Sequence, residues 1–235
     1  MKADDSHGSD CSLAIVVPVF NEGQALRDRL QGFIDLGADE LIFVDGGSTD
    51  QTAALLAQSG VQWMSACVGR ARQMNAGAKS LSSDILVFIH ADTVVNKSCL
   101  SVIITALNQS DIVGGRFDVR LSGQHWAFRM IEWMINIRSR LTKISTGDQV
   151  QFVRRDVFET MGGFAALPLL EDVEFSKRLK KLGRIACLRD TVVTSSRRWQ
   201  KHGIVRTVWL MWKIRWLYWL GVAPEKLARM YRDAR

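Results

Sequence analysis

The apolar positions along this chain switch repeatedly between two periods. Residues 13–19 (LAIVVPV) form an unbroken apolar, β-branched run, the pattern of a strand covered on both faces. Leu26, Leu30, Phe33 and Ile34 then recur at helical spacing over residues 23–36. Residues 41–44 make a second buried strand closed by Asp45-Gly46-Gly47. Thr49 or Asp50 opens a helix to about Gln58, and Gly60 ends it. Residues 61–65 read as a third strand, 70–80 as a helix and 85–89 (ILVFI) as a fourth strand. Short buried strands alternating with helices predict an open, parallel α/β sheet. The second half is less regular: a helix near 98–108, a strand at 112–119 and an amphipathic helix at 123–140. A strand at 149–153, helices at 155–161 and 171–182, and short strands near 185–194 follow.

The last stretch has a different texture. Residues 203–220 (GIVRTVWLMWKIRWLYWL) are helical in pattern, with Trp209, Trp212, Trp216 and Trp219 on one stripe. Leu210, Ile214, Leu217 and Tyr218 fall on the opposite side, and Arg206, Lys213 and Arg215 lie along the borders. A helix apolar on two sides needs two partners. One side suits the folded body; the Trp stripe, flanked by cations, suits a bilayer interface or a homodimer contact. Burial of all eight positions in the core is the alternative. Pro224 is well placed for the first turn of a final basic helix. The expected organisation is a disordered tail over 1–11, one α/β domain over 12–196, and a basic, Trp-rich helical appendage over 197–235.

Composition changes the picture in two places. The chain has 235 residues and a formal charge of +7, but residues 197–235 alone carry +8 and five of the eight Trp. The body is thus nearly neutral, and the strand ends described below are rich in carboxylates, so nucleic acid is not an expected partner. The N-terminus is polar, no apolar run is long enough to span a membrane, and four scattered Cys make no C-x-x-C pair. The expectation is a cytoplasmic protein, peripheral on the inner membrane face if the Trp stripe meets lipid.

In an open α/β sheet, ligands gather at the carboxyl ends of the strands. Here those ends run into Asn21-Glu22, Asp45, and His90-Ala91-Asp92-Thr93. Such a cluster faces either hydrogen-bond donors or a hard cation such as Mg²⁺ or Mn²⁺, which one or two carboxylates hold together with substrate phosphates. Asp45 and Asp50 as turn and capping residues are the plainer reading. Neither G-x-G-x-x-G nor G-x-x-x-x-G-K-[ST] occurs, which disfavours dinucleotide dehydrogenases and P-loop ATPases. Arg70 and Arg72 enter a helix, where phosphates are welcome. Glu171-Asp172 opens another helix and offers either a dipole partner or a general base.

The segments VPVFNEG (17–23), VDGGSTDQT (44–52), GRARQMNAGA (69–78), FIHADT (88–93) and LLEDVEFSKRL (169–179) resemble the successive signatures of family 2 glycosyltransferases. GDQVQFVRRDVFETMGGF (147–164) and SSRRWQKHGIVRTVW (195–209) further resemble a bacterial subgroup associated with arsenosugar and selenodomain gene sets. The resemblance implies a GT-A fold, a nucleotide-diphosphate sugar donor (a UDP-sugar being the commonest choice), Mg²⁺ or Mn²⁺, an unidentified acceptor and inversion at the anomeric carbon. It implies a donor site drawn from Pro18, Phe20, Glu22, Asp45, Arg70, Arg72, Asn75, His90, Ala91, Asp92 and Asp148. Asp92 matches the metal-binding end of the D-x-D motif and Asp172 the catalytic base. His90 stands where that motif has its first Asp. Gly46 replaces the second Asp of Asp-Asp-Gly. Arg197, Arg198 and His202 are candidate late contacts to the diphosphate. A nucleotidyltransferase is the rival enzyme, but it needs a Gly-rich basic loop after the first strand, and residues 18–22 offer none. A non-enzymatic peripheral membrane binder is the remaining alternative.

Overall fold

Leu13–Val19 (β1) is buried along its whole length because it has a parallel neighbour on each side. Glu40–Asp45 (β2) pairs with it on one side and Ile85–Phe88 (β4) on the other. The computed structural model describes residues 11–233, so the tail expected over 1–11 lies, Cys11 apart, outside them. Gln62–Ser65 (β3) adds to β2 at one edge. Beyond β4 come Gln151–Arg154 (β6), Ile112–Leu121 (β5) and Arg184–Thr194 (β7), giving the order β3-β2-β1-β4-β6-β5-β7. β6 is antiparallel to both of its neighbours and β7 is parallel to β5, so β6 alone runs against the sheet.

The two-residue period of β1 sorts the core into two layers. Leu13, Ile15 and Val17 face Gly23–Asp35 (α1), Thr52–Gln58 (α2) and Ser98–Leu107 (α4) through Leu26, Phe33, Leu56 and Ile103. Ala14 and Val16 face Arg70–Lys79 (α3), Arg155–Thr160 (α6) and Glu171–Leu179 (α7) through Ala71, Met74, Phe158, Phe175 and Leu179. Each large side chain buried this way contributes about 1.5–3 kcal/mol. α3 lies closest to the sheet. A Cβ at Gly77 would stand 2.6 Å from Val16 Cγ1 and 2.9 Å from Val44 Cγ2, so only glycine permits that approach.

The departures from the sequence reading have local causes. The helix expected from residue 49 or 50 begins at Thr52, because Asp50 accepts bonds from the Thr52 and Gly23 backbone N–H groups and so holds a turn ahead of the helix instead of joining it. The strand expected from 149 begins at Gln151. Val150 has φ 52°, which no strand accommodates, and Gly147–Gln149 forms a 3₁₀ turn instead. The short strands near 185–194 are one long strand with a register shift between Phe117 and Asp118 of its partner.

The C-terminal residues form Arg197–His202 (α8), Ile204–Trp219 (α9) and Pro224–Asp233 (α10). They pack onto the body through two small apolar clusters. Ile214 and Leu227 are buried with Leu170 and Val173 at the start of α7. Trp199, Ile204 and Val208 pack on Leu121 and on Phe128 and Ile131 of the long helix Trp126–Thr142 (α5). The expected two-sided helix is half covered. Ile214 is only 2% exposed, whereas Trp209, Trp212, Trp216 and Trp219 stand 60–75% exposed, so burial of all eight positions does not hold. No helix among the described residues is long and apolar enough to cross a membrane.

Candidate functional site

At the carboxyl ends of β1 and β4 the chain opens into a cleft of about 1410 Å³. Because β6 is reversed, the turn before it (146–148) reaches the same edge, and α7 delivers its first residues from above. The cleft brings together Pro18, Phe20, Glu22, Arg70, His90, Ala91, Asp92, Asp148 and Asp172. Arg197 and His202 of α8 line it too, and Arg197 reaches Glu22 at 3.7 Å. The side chain of Arg198 lies outside the described residues.

Three expected donor-site residues stand elsewhere. Asp45 is buried, and its carboxylate accepts bonds from the Gly47 and Ser48 N–H groups and the Ser48 hydroxyl, so it folds back on its own turn. Asn75 is spent on Phe164, donating to its carbonyl and accepting from its N–H, both at 2.8 Å. Arg72 points out to solvent on the far side of α3 from the buried Ala71 and Met74.

What anchors the strand ends is Gln73. Its Nε2 donates to the carbonyls of Val19 (2.7 Å) and Val44 (2.8 Å), tying the ends of β1 and β2 to α3. Arg29 of α1 donates to the Asp92 carbonyl and fixes that turn from behind. Gln73 lies inside the signature segment 69–78, but nothing there marks it as the anchor, and Arg29 is one polar residue on a helix face.

The Glu171-Asp172 pair is set by strain and by a buried polar network. Leu170, just before it, takes a left-handed φ of 65°, which turns α7 sharply toward the cleft. Asp172 Oδ2 accepts from the Gly147 N–H at 2.8 Å. Behind it, Ser176 and Gln151 bond the Asp172 carbonyl, and Gln151 also donates to the Ser145 and Ser176 hydroxyls. Gly147 is squeezed between two site residues, since a Cβ there would meet the His90 ring at 2.5 Å.

The electrostatics are those of crowded charge in a partly dried cleft. Burial, then the neighbouring Asp172, pushes the Glu171 carboxyl up to about 7, against the pull of Arg70. Burial also raises Asp172, with Asp148 adding to it, while the Gly147 bond and Arg215 oppose. Glu22 is raised by burial and by Asp92, with Arg197 and Arg70 pulling the other way. The charges of Glu171, Tyr231, Asp172 and Asp92 hold the pKa of Arg70 above the ordinary arginine value, against the partial desolvation of the cleft. Its side chain is exposed, so it is a wet cation ringed by acids inside an open cleft.

No group of three or more His, Cys, Asp or Glu among the described residues forms a closed metal cage. The donor set nevertheless fits a hard divalent cation. Asp92 stands near enough to Glu22 to raise its pKa, a negative field that a cation would relieve. One carboxylate plus substrate phosphates is the usual way such ions are held.

Two further cations line the cleft beyond Asp172: Arg138, which carries no sequence signal, and Arg215, which the sequence places only on the border of the Trp stripe. Arg138 of α5 is lowered to about 10, by burial first and then by Arg215 of α9; Asp148 and Asp172 oppose. Arg138 Nε and Nη2 and Arg215 Nε are enclosed and have no hydrogen-bond partner. Both sit in amphipathic helices with no motif around them.

The sequence profile described as Glycosyl transferase family 2 matches residues 14–167, most of the sheet and its helices. The chain belongs to glycosyl transferase family 2. The chain is 23% identical over 230 residues to the probable glycosyltransferase YdaM of Bacillus subtilis (strain 168). That match covers 87% of this chain and 54% of the relative, so the chain spans about half the relative's length. The fold also superimposes on a mannosyltransferase, PcManGT from Pyrobaculum calidifontis, solved with GDP-Man and Mn²⁺: TM-score 0.68, 17% identity, 97% of this chain and 70% of that one. Glucosyl-3-phosphoglycerate synthase from Mycobacterium tuberculosis, solved with phosphoglyceric acid, gives a TM-score of 0.60 at 20% identity over 77% of this chain and 70% of that one. The mostly parallel seven-stranded sheet flanked by helices is the GT-A fold.

Proposed function

We propose that the chain is an inverting glycosyltransferase that moves a sugar from a nucleotide-diphosphate donor to an acceptor hydroxyl. The observation that carries this reading is the meeting, in one cleft, of Glu22, Arg70, His90 and Asp92 at the strand ends with Glu171 and Asp172 on α7. Donor complexes of GDP-Man and, in another mycobacterial synthase structure, UDP-glucose with Mn²⁺ belong to proteins of the same fold and support it.

Arg70 would face the departing diphosphate, and Asp92 is the residue that would hold Mg²⁺ or Mn²⁺. When bound, such a cation would neutralise charge that develops on the leaving group. His90, packed against Gly147, shapes the pocket between donor and acceptor. Asp172 takes the acceptor proton as the hydroxyl attacks the anomeric carbon from the face opposite the diphosphate. Its raised pKa makes it a better proton acceptor than an exposed aspartate, and the Gly147 N–H holds one oxygen so that the carboxylate keeps its aim.

Calorimetric titration of UDP and of GDP, each with and without Mn²⁺, tests this on the wild type and on Asp92→Ala. The expected result is metal-dependent binding of one nucleotide that Asp92→Ala loses. Failure of a folded wild type to bind either nucleotide would overturn the reading.

A further inference from the structure

The start of α7 is covered from a side that the strand ends do not supply. Gly221, with φ 83°, closes α9, and the Val222 N–H donates back to the Leu217 carbonyl at 3.0 Å, so the chain reverses there. Pro224 opens α10, at a position where a missing N–H is no loss. Leu227 then fixes the phase of the helix. It is fully buried with Leu170 and Val173, the residues on either side of Glu171 and Asp172. Tyr231, four residues on, shares the face of Leu227. It joins the same apolar cluster and, together with Ala228, lines the cleft that Arg70, Asp92 and Glu171 also line.

The phenol brings to that corner something it lacks. Arg70 stands in the field of Glu22, Asp92, Glu171 and Asp172, which as carboxylates accept hydrogen bonds and donate none. A guanidinium fork meets two phosphate oxygens in its own plane. The terminal phosphate of a nucleoside diphosphate has three such oxygens, so one is left for another donor. A tyrosine O–H serves it without adding charge. Tyr231 is also near enough to Arg70 to stand second only to Glu171 among the groups that hold the arginine's pKa up.

We propose that Tyr231 is a donor-site residue whose phenolic O–H donates to the terminal phosphate of the bound nucleoside diphosphate beside Arg70, with α10 as the element that carries it there. The proposal rests on the glycosyltransferase reading, because it adds a contact to the donor half of that cleft. A contact to the terminal phosphate has a signature of its own. A nucleoside monophosphate has no such group and does not feel the loss of the O–H.

The test is calorimetric titration of the full chain, in Mn²⁺, with UDP and with GDP. The base that binds is then compared as diphosphate and as monophosphate, the latter by displacement of bound diphosphate so that weak binding is also read. Tyr231→Phe keeps the ring and its packing with Leu170 and removes only the O–H. The variant is first checked for an unchanged unfolding temperature. Its diphosphate affinity is expected to fall about ten-fold, with monophosphate affinity within about two-fold of wild type. Equal losses for the two ligands would mean that the whole site had shifted, and would overturn the proposal. Unchanged diphosphate affinity would overturn it too, and would leave Tyr231 as an apolar part of the wall. The two levels of the argument fail differently. A wild type that binds neither diphosphate overturns the glycosyltransferase reading and this proposal with it. A wild type that binds one with Mn²⁺, no more tightly than Tyr231→Phe does, loses the Tyr231 contact only.

Discussion

The backbone N–H of Gly147 donates to Asp172 Oδ2 at 2.8 Å, while the space above its Cα is filled by the His90 ring. One glycine therefore sets the spacing between the strand-end turn and the start of α7, which carries the carboxylate. Gly147→Ala adds a Cβ 2.5 Å from His90 and must displace one side or the other. Misplacement of a catalytic group by about 1 Å costs on the order of 100-fold. Steady-state kinetics of Gly147→Ala should show kcat/KM lowered by about that factor, with a fold indistinguishable by circular dichroism. An unchanged kcat/KM would remove Gly147 from the positioning of Asp172.

Asp172→Asn keeps the shape and the acceptor for the Gly147 N–H but cannot take up a proton. The expected effect is a fall in kcat of about 10²- to 10⁴-fold with nucleotide affinity within about two-fold of wild type. A variant that retains full turnover would place the base elsewhere, Glu171 first.

Glu171 titrates at about 7 in the folded chain against 4.5 in an unfolded one, because it is buried beside Asp172. Its folded form binds the proton more tightly, so folding takes up a proton between those values. Its contribution to stability is fully present below about pH 4.5 and is lost as pH rises through about 7. The raised pKa of Asp172 acts in the same direction. Glu171→Gln should remove most of this slope. Against wild type it should gain up to about 3 kcal/mol in denaturant unfolding above neutrality, with little difference in acid. Parallel pH–stability curves for the two proteins would show that the carboxyl is not held out of its ordinary range.

Gln73→Leu preserves the volume of the side chain but leaves the Val19 and Val44 carbonyls without their donor. Loss of about 1–3 kcal/mol is expected in urea unfolding. Nucleotide affinity should fall too, because these carbonyls fix the ends of the two strands that lead into the cleft.

The sheet was legible because buried parallel strands read as continuous apolar runs, and β1, β2 and β4 are of that kind. The strand ends then pointed to Glu22, His90 and Asp92 by position alone. Asp45 ends a strand in the same way, yet its carboxylate folds inward, because the hydroxyl and N–H of Ser48, three residues on, offer it local partners. Asn75 lies one helical turn from the cleft and meets Phe164, a contact 89 residues away that no spacing rule anticipates. Arg138 and Arg215 were hidden for a related reason. Each is one cation on an amphipathic helix, and only the packing of two distant helices shows that both are turned toward Asp172.

The reversal of β6 has a consequence for how the chain can change. Because that strand runs against the sheet, residues 122–148 leave from the end of β5 and return to the cleft as a single excursion. α5 and the 146–148 turn belong to it; β1, β2, β4 and α3 do not. Together with α9, this excursion forms the wall opposite the strand ends. Exchanging it for the corresponding stretch of a relative would alter what lies against Asp172 while leaving the strand-end half of the cleft intact. The strand-end half of the cleft and the wall that faces it are thus written in separable stretches of sequence.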